Sequence, residues 1–440
     1  MTIEAIPNLR ITLLKSVSGG ASVFLVGALM GFLVGIQLAR GLGVDGYGIY
    51  GSALAVANLG AATASGGVNL LAARDTAAFL AKSDRASVRR LLLWSLRHVL
   101  IFTIPVSVLA VLALWCFVGV TVSTAVAGGV LVCFLALIGV FGGFLRGVNS
   151  ITFGMALDAA VRPAAYSAML FILALCSVSL TPTAALVLTG VAITIALLIG
   201  SPRIVALLRA PSGPVANDVA DRWYRSTMTM RISAIMRIAE ASLPVLIIGA
   251  LVSMSEAGGF RVAASITALG GMVSSVVRLA LPPLFARLHA LGDTARIQKL
   301  ASASSAIMTF PALALLALSL VFGEWAIGVV FGQEFVQAAV PTSILLGSTV
   351  IVSISGLSTV LLYTYEHEKP VNSAFGLSLV LTTLLSLALA PRYGAVGVAV
   401  AVALGVVVRS IVTSVMCYRK TGIDPTIMGL VSALGTASKN

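Results

Sequence analysis

Arg237, Arg278 and Arg409 stand inside otherwise apolar stretches of this sequence, with Glu240 three residues beyond the first of them. A guanidinium is a planar fork of donors that matches phosphate oxygens, so arginines held away from bulk water are chemistry for gripping an anion. An ionisable group inside a membrane helix costs several kcal/mol unless it meets a partner or a wet cavity, so these are the positions where function should show. Arg237 and Glu240 share one helix face and can pair there; a self-satisfied ion pair and a cavity role are both open. Arg278 lies about one turn from a helix end, where its side chain can snorkel to headgroups. Arg409 is about ten residues, roughly 15 Å, from Arg419, which favours a cavity or interhelical role. Arg40, Arg74 and Arg261 stand at the ends of apolar stretches and form a second tier of candidates, because arginines there commonly only anchor helices. Arg97 and His98 read as marking an interface.

The elements that must position these groups follow from composition. Hydrophobic residues make up 59% of the 440 residues and charged ones 10%, against about 25% charged in ordinary soluble domains. The deficit runs along the whole chain, which excludes a soluble globular protein. The apolar stretches are long and do not alternate, so they predict membrane helices and not barrel strands. Breaks at charges, prolines and glycine clusters give twelve of them, approximately 17–38, 50–71, 92–116, 124–145, 164–180, 183–200, 232–253, 260–281, 301–322, 339–362, 371–390 and 395–417. The first is full length with no cleavage site, so it reads as a span and not a signal peptide. The predicted fold is all-α, with about twelve transmembrane helices. Pro244 and Pro311 inside spans mark candidate kinks.

Positively charged loops are retained on the cytoplasmic side of a membrane. Of the 28 Lys and Arg residues, only Arg40, Arg261 and Arg392 fall opposite the majority, and Arg97, Arg237, Arg278 and Arg409 fall inside spans. This asymmetry predicts both termini in the cytoplasm. It also accounts for the net charge of +13 without nucleic acid, since no basic run carries the interleaved aromatics that base stacking needs. The four cysteines lack metal-like or redox-like spacing and read as packing residues. His98, His289 and His367 likewise show no ligand spacing, so no metal and no cofactor is expected, and His367 between two glutamates reads as a solvated turn.

The chain also repeats itself at an offset of about 210 residues. Asp45-Gly46-Tyr47-Gly48-Ile49-Tyr50 aligns with Glu256-Ala257-Gly258-Gly259-Phe260-Arg261, and Asp84-Arg85-Ala86-Ser87-Val88-Arg89-Arg90-Leu91 with Asp293-Thr294-Ala295-Arg296-Ile297-Gln298-Lys299-Leu300. A weaker match runs from Ala184-Ala185 and from Gly394-Ala395. Six spans separate equivalent points, so two six-helix bundles of the same orientation are expected, related by pseudo-symmetry about the membrane normal. The organisation is then a lobe over 1–200, a cytoplasmic linker over 201–231 containing Pro211-Ser212-Gly213-Pro214, and a lobe over 232–440. Asp221-Arg222-Trp223-Tyr224-Arg225 reads either as an interfacial helix or as a solvated loop.

Ala39-Arg40-Gly41-Leu42-Gly43 followed by Asp45-Gly46-Tyr47-Gly48-Ile49-Tyr50 resembles the opening of the polysaccharide-biosynthesis, O-antigen-type flippases of the multidrug/oligosaccharidyl-lipid/polysaccharide exporter superfamily. Pro282-Pro283-Leu284-Phe285-Ala286-Arg287-Leu288, Phe331-Gly332-Gln333-Glu334-Phe335 and Tyr393-Gly394-Ala395-Val396-Gly397-Val398-Ala399 are similar to later family segments, in order along nearly the whole chain. The resemblance implies a monomeric inner-membrane protein that turns an undecaprenyl-pyrophosphate-linked oligosaccharide to the outer leaflet by alternating access. Membrane lipids and other polysaccharide-assembly proteins are its implied partners. Arg237, Arg278, Arg409, Glu240, Arg40, Arg74 and Arg261 become candidate cargo-binding residues.

Three rivals stand beside that reading. A cation-coupled multidrug-type antiporter needs embedded carboxylates, of which the spans offer only Glu240, with Asp158 near a cytoplasmic end. A peptidoglycan-precursor flippase typically resembles a protein with more spans. A membrane polymerase or glycosyltransferase needs convergent acid, base or metal-binding groups in a sizeable outer loop, and the outer loops here are short and nearly uncharged, so the protein reads as a transporter and not an enzyme.

Overall fold

The computed structural model describes residues 9–148, 151–209 and 217–429. Among these residues the regular structure is helical, with no strand. The helices are α1 (Leu9–Ser65), α2 (Val68–Ala81), α3 (Arg85–Ala113), α4 (Val122–Gly147), α5 (Ile151–Ala156), α6 (Arg162–Leu175), α7 (Pro182–Leu208), α8 (Asn217–Leu251), α9 (Met254–Gly270), α10 (Met272–Ala280), α11 (Pro282–Ala290), α12 (Thr294–Val330), α13 (Ala339–Ile354), α14 (Ser358–Thr364) and α15 (Glu368–Thr421). A π-helical turn, Leu157–Val161, joins α5 to α6.

Nine helices among the described residues are long and apolar enough to cross a membrane, and α9 with the bent α10–α11 segment, turned by 47°, makes a tenth. Two of the ten each hold two of the sequence's apolar stretches. Stretches 17–38 and 50–71 lie on α1, interrupted only at Gly43 (φ 69°, ψ 176°); stretches 371–390 and 395–417 lie on α15, interrupted at Gly394 (φ 58°, ψ −141°). The loops expected at 39–49 and 391–394 are thus corrected to helix broken at one residue. Glycine permits this because it adopts positive φ without the steric cost a Cβ would incur. Counted at these breaks, the described chain holds the twelve expected spans. The second span stops at Ser65, so Leu70 and Leu71 belong to the short helix α2.

Two compact units divide the chain, residues 1–242 and 243–440. The first closes around Leu71, Leu91, Leu92, Val140, Phe144, Leu145, Leu157 and Trp223. The second has one core around Val245, Ile248, Phe260 and Val398 and another around Phe285, Ile297, Met308 and Leu361. Large apolar side chains remain exposed, among them Ile104, Phe117 and Leu175 in the first unit and Phe310, Leu320 and Trp325 in the second. Apolar exposure on this scale is what a hydrocarbon environment accepts and water does not. The division falls within α8, which carries Pro244 internally, as α12 carries Pro311. Pro211-Ser212-Gly213-Pro214 lies outside the described residues, as do both chain termini.

The repeat read from the sequence has a physical counterpart in each unit. Asp84 begins α3 with its carboxylate accepting from the Ser87 N–H at 2.9 Å, and Asp293 begins α12 by accepting from the Arg296 N–H at 3.0 Å. Before each, the backbone follows the same path. The Asp84 N–H donates to the Phe79 carbonyl at 2.9 Å and the Asp293 N–H to the Leu288 carbonyl at 3.0 Å, while Ser83 (φ 58°) and Gly292 (φ 70°) occupy the same left-handed position. These are N-caps, which satisfy donors that a helix start leaves open.

Residues 222–225 are helical, the first part of the span that α8 supplies. The solvated-loop reading of that segment is therefore corrected. Trp223 is buried within the first unit, its ring 5.5 Å from that of Trp94 on α3. His98 on α3 is buried as well. The Arg231 Nη2 lies 3.2 Å from its Nε2, and the Arg231 guanidinium sits 5.0 Å from the Phe102 ring centre. These contacts seat the first half of α8 against α3.

Candidate functional site

Six elements of the first unit line a polar cavity of about 270 Å³. Asn58, Ala61, Ala62 and Ser65 come from the second half of α1, Asn69 from α2, Leu135, Ala136, Ile138 and Gly139 from α4, and Ala234, Arg237 and Ile238 from α8. Asp158 and Arg162 complete it from the π-helical turn and the start of α6.

Glycines set this geometry by letting backbones approach. A Cβ at Gly27 on α1 would collide with the Ala159 carbonyl oxygen of the π-helical turn. Gly154 on α5 lies against the backbone of Arg146 and the Gly142 carbonyl on α4, with a Cβ there 2.8 Å from the Arg146 nitrogen. Gly143 meets the Asn69 backbone, where a side chain could not fit. Close approach of this kind is the usual function of small residues between membrane helices. The result brings Arg146, at the last turn of α4, within electrostatic reach of Asp158.

Asp158 and Arg162 form an ion pair at 3.0 Å, and each retains exposure to the cavity. A single π-helical turn within an α-helical span recurs at functional sites, because the extra residue re-aims side chains. Asp158 stands in that turn.

The residues singled out from sequence divide as follows. Arg237 lines the cavity. Glu240 is half-buried one turn farther along α8. Arg74 lies outside the cavity, paired with Asp75 at 2.8 Å and donating to the Ser226 Oγ at 3.3 Å, which ties α2 to α8. Arg40 lines a separate depression of about 360 Å³ with Gln37, Gly41, Phe171 and Leu180.

In the second unit, Arg278 on α10 and Arg409 on α15 lie within electrostatic reach of one another, and the Arg409 guanidinium sits 4.4 Å from the Phe375 ring centre. Such stacking is favourable where water is scarce. Arg261 is half-buried on α9. The structure therefore gathers Arg237 with one set of groups and Arg278 with Arg409, and leaves Arg40 and Arg74 in other settings.

Sequence reasoning placed Asp158 near a cytoplasmic end and assigned Arg146 and Arg162 to topology alone. One signal was available, the acid and base four residues apart in Asp158-Ala159-Ala160-Val161-Arg162, a spacing that pairs on a helix. Nothing in the sequence marks Asn58 or Asn69.

No family model matches the chain. A curated relative, the probable low-salt glycan biosynthesis flippase Agl15 of Haloferax volcanii, is 26% identical over 227 residues, covering 51% of this chain. The matched stretch spans 46% of that relative's length. Among solved structures, an inward-facing multidrug resistance MATE family transporter of the MOP superfamily superimposes with a TM-score of 0.73 at 14% identity, over 94% of this chain and 99% of that one. The lipid II flippase MurJ, in an inward closed conformation, superimposes with a TM-score of 0.72 at 10% identity, over 94% and 90%. At these identities the structural likeness is one of fold. These findings bear out the resemblance read from the residues: the chain is a multi-spanning membrane protein with the fold of the MOP superfamily, and a curated sequence it resembles is a probable glycan-biosynthesis flippase.

Proposed function

We propose that this protein is a flippase that turns an undecaprenyl-pyrophosphate-linked sugar unit from the cytoplasmic to the outer leaflet of a bacterial inner membrane. It exports a surface polysaccharide of the O-antigen, lipopolysaccharide or exopolysaccharide kind by alternating access between lobes of six helices. The observation that carries the reading is the cavity holding Arg162 and Arg237, with Arg146 in reach of its one carboxylate, Asp158. Its excess of guanidinium suits a diphosphate headgroup, replacing with charged donors the hydration that the headgroup gives up in transit. Arg278 and Arg409 form the second candidate contact. Both termini lie in the cytoplasm on this reading, and the protein acts as a monomer.

Asp158 also supports a second reading, cation-coupled antiport, since a cavity carboxylate can take a proton or Na⁺. Against it, Asp158 is already paired with Arg162, and a site richer in arginine than in carboxylate repels cationic drugs.

The test is a proteoliposome translocation assay with a fluorescent polyprenyl-pyrophosphate oligosaccharide, comparing wild type with Arg237→Ala, Arg278→Ala and Arg409→Ala at matched reconstitution. Movement by wild type and its loss in at least one folded variant support the flippase. An inert wild type that moves a cationic dye on an ion gradient transfers the assignment to the antiporter.

A further inference from the structure

Asp158 raises a question that the flippase reading leaves open. A carboxylate beside the arginines of an anion site competes with the anion. As a helix staple alone it is a poor choice, since an i,i+4 pair adds little to a helix while a carboxylate within a span is costly to hold. The geometry assigns it more than that. Asp158 sits on the π-helical turn, and the turn is held in place by the close contact of Ala159 with Gly27. It faces Arg162 at 3.0 Å, lies within reach of Arg146, and lines the cavity that Arg237 also lines.

We infer that Asp158 is an internal counter-ion, a positioning residue that holds Arg162 when the cavity is without cargo and is displaced from it by the pyrophosphate of a polyprenyl lipid. This rests on the flippase reading and adds to it how the headgroup is let go. A cavity of arginines alone would bind a diphosphate too firmly to release it. A resident carboxylate one turn away retakes Arg162 as the phosphate leaves, so the guanidinium keeps an anionic partner throughout. No bond is made or broken; the exchange is one ion-pair partner for another.

The experiment uses the full chain in nanodiscs, with farnesyl pyrophosphate as a short, soluble probe and farnesol as its uncharged control, alongside translocation of the lipid-linked oligosaccharide in proteoliposomes. Asp158→Asn should bind farnesyl pyrophosphate roughly fivefold tighter, the affinity equivalent of a partly exposed ion pair, and should translocate more slowly because release is delayed. Farnesol binding should not change. Arg162→Gln should weaken pyrophosphate binding, and in that background Asp158→Asn should add much less than it does alone, because its paired guanidinium is gone. A purely structural pair would not give a phosphate-specific gain of affinity joined to a loss of rate. If Asp158→Asn fails to reconstitute, Asp158→Ser carries the same expectation.

Unchanged or weaker pyrophosphate binding in Asp158→Asn, while Arg237→Gln still weakens it, overturns the counter-ion and leaves the flippase standing. A wild type that neither binds farnesyl pyrophosphate nor moves the lipid overturns both.

Discussion

Gly27 and Gly31 lie four residues apart on α1, the spacing of the small-xxx-small motif that brings membrane helices together. Treated as a motif, the two glycines are equivalent; in the structure they are not. A Cβ at Gly27 would fall well inside the 3.0 Å limit of real contacts with the Ala159 carbonyl, whereas a Cβ at Gly31 would meet nothing within 4 Å. Each change to alanine gains helix propensity, about 0.5–1 kcal/mol. Only Gly27→Ala adds an overpacking cost, about 1–3 kcal/mol, and the neighbour here is backbone that cannot rotate away. Gly31→Ala should therefore be neutral to stabilising and Gly27→Ala destabilising. Since the propensity gain cancels between them, the two should differ by about 1–3 kcal/mol, the overpacking cost alone. Denaturant titration of the purified protein in mixed micelles, followed by tryptophan fluorescence, measures the difference. Because Gly27 holds the turn that carries Asp158, its variant should also disturb pyrophosphate binding more than the Gly31 variant does. Equal stabilities for the two variants would refute the close approach of α1 to the π-helical turn.

Three further expectations concern elements away from the cavity. Hydrogen bonds from the Ser87 side chain and backbone hold the Asp84 carboxyl below its ordinary value of 3.8; the cap's contribution is thus full above that value and lost as pH falls through the lowered one. Asp84→Ala should cost about 1 kcal/mol near neutral pH, with the gap from wild type closing only in strong acid, and a gap that vanishes already at pH about 5 would contradict the cap. Gln298 clasps the segment after α15, donating from Nε2 to the Asp424 carbonyl at 2.6 Å and accepting from the Asp424 N–H at 2.8 Å. Gln298→Ala removes both bonds, about 1–3 kcal/mol together, so limited proteolysis near Asp424 should accelerate several-fold while cleavage elsewhere keeps its rate. Gly394→Ala should destabilise by about 1 kcal/mol or more, because φ there is 58° and a Cβ would run into the Glu256 carboxylate, which accepts from the Ala395 N–H at 2.5 Å. Combining it with Glu256→Ala relieves the collision, so the double variant should lose less than the sum of the two.

The two halves also show where likeness in sequence stops short of likeness in structure. Asp84 and Asp293 repeat a whole turn because capping is local; a short acid-bearing segment specifies its own hydrogen bonds wherever it occurs. The matched stretches at Ala184-Ala185 and Gly394-Ala395 do not behave alike. The first helix start is capped from nearby, by the Thr181 hydroxyl accepting from the Ala184 N–H at 3.2 Å. The second is capped by Glu256, far away in the chain. Only the local device could be read in advance.

The sequence by itself determined the class of molecule, because long unalternating apolar stretches leave a backbone in lipid no choice but helix. It determined the number of spans and, through the aligned acids, the repeat. It located the charged side chains worth examining, Arg237 above all. What it could not decide is which of them meet. Helix geometry fixes neighbours three and four residues apart; only the tertiary structure places Arg237 on a cavity shared with Asp158 and Arg162. Those meetings depend on helix crossings at Gly27, Gly142, Gly143 and Gly154. In a chain with 42 glycines, no spacing distinguishes a glycine pressed against a carbonyl from one facing open space, since the difference is made by the atoms of another helix.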